Sequence, residues 1–198
     1  MKKTSLFGFA ATALVAAAML VGCGPTLSER IAGSWVYEIS REQEETEHDY
    51  AWKRVLKEID TFGEDRSYVE EGSIIKTYFI KDEERGWDTT VMMEFKFRRV
   101  GTWKLNFDNA EDWLTIIGKE ATWELGEYAC PESDLAENAW NMAMGVLEEF
   151  RENDEKDWPG EHNFTITSVD ENEFIYEAEN ETITLIRVKE QATEEVKE

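Results

Sequence analysis

The sequence predicts a mainly antiparallel all-β domain with one long helix late in the chain. Three observations predict it. Apolar and polar side chains alternate through residues 91–107, three short alternating segments follow one another closely near the C-terminal end, and one segment after Pro131 repeats its apolar residues every three or four positions. A period of two marks a half-buried strand, and a period near 3.6 marks an amphipathic helix.

Taken in order, Trp35, Tyr37 and Ile39 alternate with Ser34, Glu38 and Ser40, which predicts a first strand. Residues 42–49 are polar and acidic and read as a solvated loop. In 52–62 the residues Trp52, Val55, Leu56 and Ile59 also fit helical spacing, but the turn-forming Gly63-Glu64-Asp65-Arg66 that follows favours a strand. Residues 67–80 are of β type, interrupted at Glu70-Glu71-Gly72. The clearest alternation sets Val91, Met93, Phe95 and Phe97 against Met92, Glu94, Lys96 and Arg98. It continues through Gly101, Trp103, Leu105 and Phe107, with Arg99 the one polar residue on the apolar side. These 17 residues exceed an ordinary strand of about 3–10, so a bend or bulge is expected near Gly101. Residues 113–125 return as one strand, or as two divided at Gly118. Leu135, Ala139, Ala143, Val146, Leu147 and Phe150 then define a helix over about 134–152, with Ser133 or Asp134 available as its cap. An acidic loop over 153–160 leads to strands at 163–169, 173–178 and 181–188, a meander spacing.

The first residues have a different character. Lys2 and Lys3 precede an apolar run over 6–21, broken only by Gly8 and Thr12, and no acid occurs before Glu29. The run's 16 residues are short against the roughly 20 needed to span a bilayer, and small residues follow it, as in a secretory signal. Leu20-Val21-Gly22-Cys23 resembles the lipobox of bacterial lipoproteins. That resemblance implies cleavage after Gly22, thioether lipidation of Cys23 and acylation of the new amino group, several chains holding a membrane where one holds only marginally. The expected organisation is a signal peptide at 1–22, a lipidated tether at 23–30, one domain at 31–188 and a polar, frayed tail at 189–198. Gly24 rather than Asp after the Cys favours, by analogy with enteric sorting, the outer membrane of the cell envelope, its periplasmic or surface face left open.

Without residues 1–22 the chain keeps 176 residues, enough for one domain with a real core. Loss of Lys2 and Lys3 takes the net charge from −23 to −25. A field of that sign repels nucleic acid. Eight Trp, six Tyr and ten Phe oppose disorder for most of the chain. Cys130 is the one cysteine after Cys23, so no intramolecular disulfide can form, and it reads as a small buried apolar residue rather than a nucleophile.

Roughly eight strands are most economically satisfied by a closed barrel, which removes exposed edges. Gly33-Ser34-Trp35 opens the first strand, Arg187 lies near the end of the last, and Gly101-Thr102-Trp103-Lys104 sits within an internal one. In these features the chain resembles the lipocalin-like (calycin) proteins, including bacterial lipocalin-like lipoproteins. The resemblance implies an up-and-down barrel in which Arg187 lies against Trp35, with Gly33, Gly101 and Trp103 as further structural signature positions. It departs from the family pattern in placing the helix before three terminal strands rather than before the last one, and in lacking disulfides. An open sheet packed against the helix is the rival architecture.

Catalytic chemistry finds little support. His48 and His162 have no His or Cys partner at ligand spacing and read as solvated, and the acidic runs 154–157 and 170–173 lack the spaced loop of a calcium site. No nucleophile elbow or phosphate-binding glycine loop occurs. With 44 acids, some carboxylate pairs are inevitable and carry no weight. No catalytic residue, metal or cofactor is therefore assigned. Trp87, Trp113 and Trp158 lie at loop edges beside acids, as a binding rim for ligands or partners or as plugs at the barrel ends. The expected function is non-enzymatic: a membrane-tethered module that binds a small apolar ligand or a partner protein, the alternative being a structural or assembly lipoprotein without a ligand.

Overall fold

The alternating segments pair, each with its neighbour in sequence, until the last meets the first. A computed structural model describes residues 25–45, 50–82, 87–107, 111–178 and 181–189. Its strands are β1 (Gly33–Glu45), β2 (Tyr50–Phe62), β3 (Ser67–Asp82), β4 (Trp87–Phe107), β5 (Asp112–Ala129), β6 (Gly160–Val169), β7 (Glu173–Ala178) and β8 (Glu181–Arg187), with helices α1 (Leu27–Ile31) and α2 (Ser133–Asp157). They form one closed antiparallel barrel in the order β1 to β8, with α2 between β5 and β6. The fold is thus the all-β, lipocalin-like up-and-down barrel that the resemblance implies, built from the strands that the alternation predicts.

Closure is confined to one end. β1 and β8 pair only through Trp35↔Arg187 and Val36↔Ile186, and β6 pairs only with residues 113–118 of β5. Strands β1 to β5 run well beyond this ring as a longer sheet, and α2 lies across it. The rival open sheet against a helix therefore describes one half of the molecule, and the barrel the other.

Two apolar clusters result. The barrel end holds Ile31, Trp35, Phe62, Tyr68, Trp103, Leu114, Phe174 and Leu185. Under the helix lie Ile74, Val91, Met93, Phe95, Phe97 and Trp123, met by Ala139, Ala143 and Leu147 of α2. The small alanines of α2 let its backbone approach the sheet, and Phe150 stacks on Trp123 with ring centroids 4.6 Å apart.

Several segments differ from the sequence reading. Residues 27–30, expected as tether, form a helical turn with Ile31 because Thr26 and Glu29 make a reciprocal capping box and Ile31 is drawn fully into the core. β1 runs to Glu45, taking up half of the expected acidic loop, because residues 42–45 continue the ladder to β2. β3 is uninterrupted at Glu70-Glu71-Gly72: a Cβ on Gly72 would meet the Phe97 ring at 2.8 Å, so the glycine makes room for an aromatic of β4. β5 is one strand, and the expected irregularity near Gly101 is a register shift between Val100 and Gly101, with a second between Met93 and Phe95. α2 begins after Glu132 without a side-chain cap, so neither Ser133 nor Asp134 plays that part. It also runs five residues past the expected end at 152, because Asp154 has partners inside the protein. The expected tail and Cys23 lie largely outside the described residues, which stop at 189 and start at 25.

Gly101 and Gly118 face each other across β4 and β5. A Cβ on Gly118 would stand 2.0 Å from the Trp158 carbonyl oxygen, so this glycine lets the end of α2 seat against the strand. Gly118→Ala is expected to lower stability by about 1–3 kcal/mol, the usual cost of overpacking. A urea midpoint equal to that of the parent would show that Trp158 is not held there.

Candidate functional site

Between the two apolar clusters the barrel interior is polar. The alternation that puts Phe62 in the core places Asp60 and Glu58 on the same inner face of β2, leaving Ile59 outside at 41% exposure. On β3 the residues sharing a side with Tyr68 and Ile74 include Glu70. On β4 the inner row Phe95, Phe97, Trp103 contains Arg99. Asp154 follows Phe150 by one helical turn, so the buried stripe of α2 that starts at Ala139 ends in a carboxylate. These side chains meet around a cavity of about 300 Å³, whose other walls include Ile116, Asp157, Trp158, His162, Phe164 and Tyr176.

Arg99 organises the cluster. Its Nε and Nη2 donate to the two oxygens of Asp154 at 2.9 and 2.8 Å, and its Nη1 donates to Glu70 Oε1 at 2.9 Å. The same Asp154 accepts from the Trp123 indole at 2.6 Å. Its guanidinium also lies 5.2 to 5.9 Å from the ring centroids of Phe97, Trp158 and Trp123, within cation–π range. Tyr68 donates to Asp60, and its hydroxyl lies 3.4 Å from Glu70 Oε2. Burial works against the charge on Arg99, but the hydrogen bonds to Asp154 and the charge of Glu70 more than offset it, so its pKa is raised and it stays a cation.

The carboxyls outnumber this cation. Burial first, then the charges of Glu70 and Asp60, push Glu58 up to about 9. Burial and Glu70 raise Asp60 to about 7, although the Tyr68 hydroxyl and Arg99 favour its ionised form. Glu70 is also raised, mainly by burial, against the pull of Arg99. The hydroxyls of Tyr68 and Tyr176 are held protonated, by burial first and then by these acids. The cluster therefore stores protons at neutral pH, and a pocket with convergent polar groups and displaced pKa values is where function is first sought.

The residues singled out from the sequence divide in two. Trp35 and Trp103 are buried, each under a guanidinium: Arg187 at 4.0 Å from the Trp35 ring centroid, Arg66 at 4.3 Å from that of Trp103. Arg187 also donates to the carbonyls of Ala32 and Arg30, tying the last strand to α1, and a Cβ on Gly33, where φ is +124°, would meet it at 2.7 Å. Trp158 is buried rather than on an exposed rim, and it walls the cavity while its indole donates to Val100 O at 3.2 Å. Trp113 is half-buried and does not line the cavity. The side chain of Trp87, like His48 and Cys23, lies outside the described residues. His162 is half-buried instead of solvated, stacked on Trp158 at 5.1 Å with Nε2 2.9 Å from the Trp158 carbonyl oxygen. Cys130 is half-buried against the helix–sheet core.

Among the described residues, no three His, Cys, Asp or Glu side chains are arranged to hold a metal ion. A larger concavity of about 590 Å³ lies around Lys57, Ile59, Glu71, Lys96 and Arg98. Its cations are already paired, Lys57 with Glu38, Lys96 with the half-buried Glu94 and Arg98 with Glu71. The lumen is the better candidate. No protein-family model matches the chain, and no curated protein is similar enough to it to indicate a relative.

An acid whose pKa is higher in the folded than in the unfolded chain binds more protons when folded, so folding stability falls as pH rises between the two values. For Asp60 that window runs from the ordinary carboxylate range to about 7, and for Glu58 to about 9. Denaturation midpoints are expected to decline from pH 5 to pH 9, and Asp60→Asn to flatten the part below about 7. A midpoint that rises over this range would contradict the buried, protonated state.

Proposed function

We propose that the protein is an exported, lipid-anchored binding module of lipocalin-like form, not an enzyme, which holds a small molecule inside its barrel. The observation that carries this reading is the cavity of about 300 Å³ between Glu58, Asp60, Glu70 and the aromatic walls Tyr68, Phe164 and Tyr176. Its size is at the low end of small-ligand pockets. The sequence suggested an apolar ligand, but the lumen's chemistry favours a compact molecule with an amine or another hydrogen-bond donor beside an apolar body. Carboxyls receive the donor, and ring faces attract a cation. Arg99 is already committed to Glu70 and Asp154 through Nε and both terminal nitrogens, which leaves it poorly placed to recruit an anion.

Anchoring belongs to the same proposal. A signal over residues 1–22 and acylation of Cys23 would hold the barrel to the cell envelope, the outer membrane by preference, two residues from the first described one. A partner-binding or assembly role is the second reading. Trp140, Met142 and Met144 of α2 and Phe107 of β4, all exposed, favour it.

Native mass spectrometry of the chain purified from its own membranes tests both parts. The expected N-terminus is Cys23 with its acyl chains, and the expected particle retains a small molecule. Glu58→Met with Asp60→Leu, which removes both acceptors, is expected to weaken retention about tenfold or more, one hydrogen bond to a charged donor being worth about 1.5–3 kcal/mol. An empty barrel would move the weight to the assembly role, and an intact Met1 would remove the anchor.

A further inference from the structure

The lumen is not enclosed by strands alone. One of its walls is the end of α2 with the residue after it, which contributes Asp154, Asp157 and Trp158. β2, β3 and β4 are held on both sides by ladders of backbone hydrogen bonds. Among the described residues α2 makes no backbone-to-backbone bond to the sheet. Side chains hold its last turns: Asp154 to Arg99 and Trp123, Arg151 to the Trp123 carbonyl at 3.0 Å, and the Trp158 indole to Val100 O.

We propose that residues 150–158 are a charge-latched cover of the lumen, held shut by Arg99 while the carboxyls of β2 are protonated and released when those carboxyls ionise.

The argument is one of charge and freedom to move. Arg99 already faces two acids, Glu70 and Asp154. Each proton that leaves Asp60 or Glu58 adds a negative charge to the same small volume. Tyr37 of β1, Tyr68 of β3 and Tyr176 of β7 face these acids with neutral hydroxyls, which supply no compensating charge. His162 of β6 and Asp157 of α2 stand at the cavity wall, and Glu181 and Arg41 act on Tyr37. The repulsion can be relieved by separating carboxylates, and among the described residues of the cavity wall Asp154 and Asp157 are the ones on an element without a ladder. The ordinary values of Asp60 and Glu58 are displaced upwards by burial, to about 7 and about 9, which puts the release between those values. That the cover governs ligand exchange rests on the binding reading above; that it moves does not.

Hydrogen exchange of the full chain at pH 6 and pH 9, corrected for the intrinsic rate and carried out without added ligand, tests the latch. Protection of 150–158 is expected to fall at least tenfold more than protection of β3 and β4. Glu58→Gln with Asp60→Asn is expected to keep the cover protected at pH 9, whereas Asp154→Asn leaves it unprotected at both values while β3 and β4 stay protected. Equal protection of the cover at the two pH values, an equal loss throughout the strands, or opening that persists in the double variant would each overturn the proposal. A retained molecule in a barrel whose cover ignores pH would sink the latch alone; a responsive cover over an empty lumen would sink the binding reading alone.

Discussion

The fork of Arg99 is the interaction on which the rest of this structure depends. A guanidinium inside a barrel is tolerable only when its donors are met, and here Nε, Nη1 and Nη2 are met by Glu70 of β3 and Asp154 of α2. Removing one member of such a set leaves an uncompensated buried charge, typically at a cost of about 3–5 kcal/mol. The pair also sets geometry. It fixes where α2 ends, it orders the Trp123 indole through Asp154, and it determines which carboxyls remain without a counter-charge and must keep their protons.

A barrel of this size can fill its interior with side chains and leave no space. Here the filling is segregated. Aromatic residues pack the closed end, and the helix packs the open end. The polar layer lies between them, walled by both. The cavity is thus a product of the mismatch between a ring closed at one end and a sheet that continues past it. The apolar clusters supply the stability that a layer of buried carboxyls lowers.

Much of this was legible in the residues. The run from Val91 to Phe107 announced β4, and the recurrence from Leu135 to Phe150 announced α2, because one face of each is dry along most of its length. The site was not legible for the same reason. Reading alternation looks for apolar residues on the inner face, and in β2 that face carries Asp60 while Ile59 points outward. Glu70-Glu71-Gly72 read as a break, though only Glu71 of the two acids faces water. Arg99 did carry a signal, as the one polar residue on the dry side of the run from Val91 to Phe107. Its partners could be found only after folding, since Asp154 lies 55 positions away.

α1 deserves a last consequence. Ile31 fills the closed end, the Trp35 indole donates to its carbonyl at 2.8 Å, and Arg187 fastens the neighbouring carbonyls of Ala32 and Arg30. Both ends of the described chain therefore emerge beside a stopper. With the base filled in this way, the lumen is approached from the side that α2 borders.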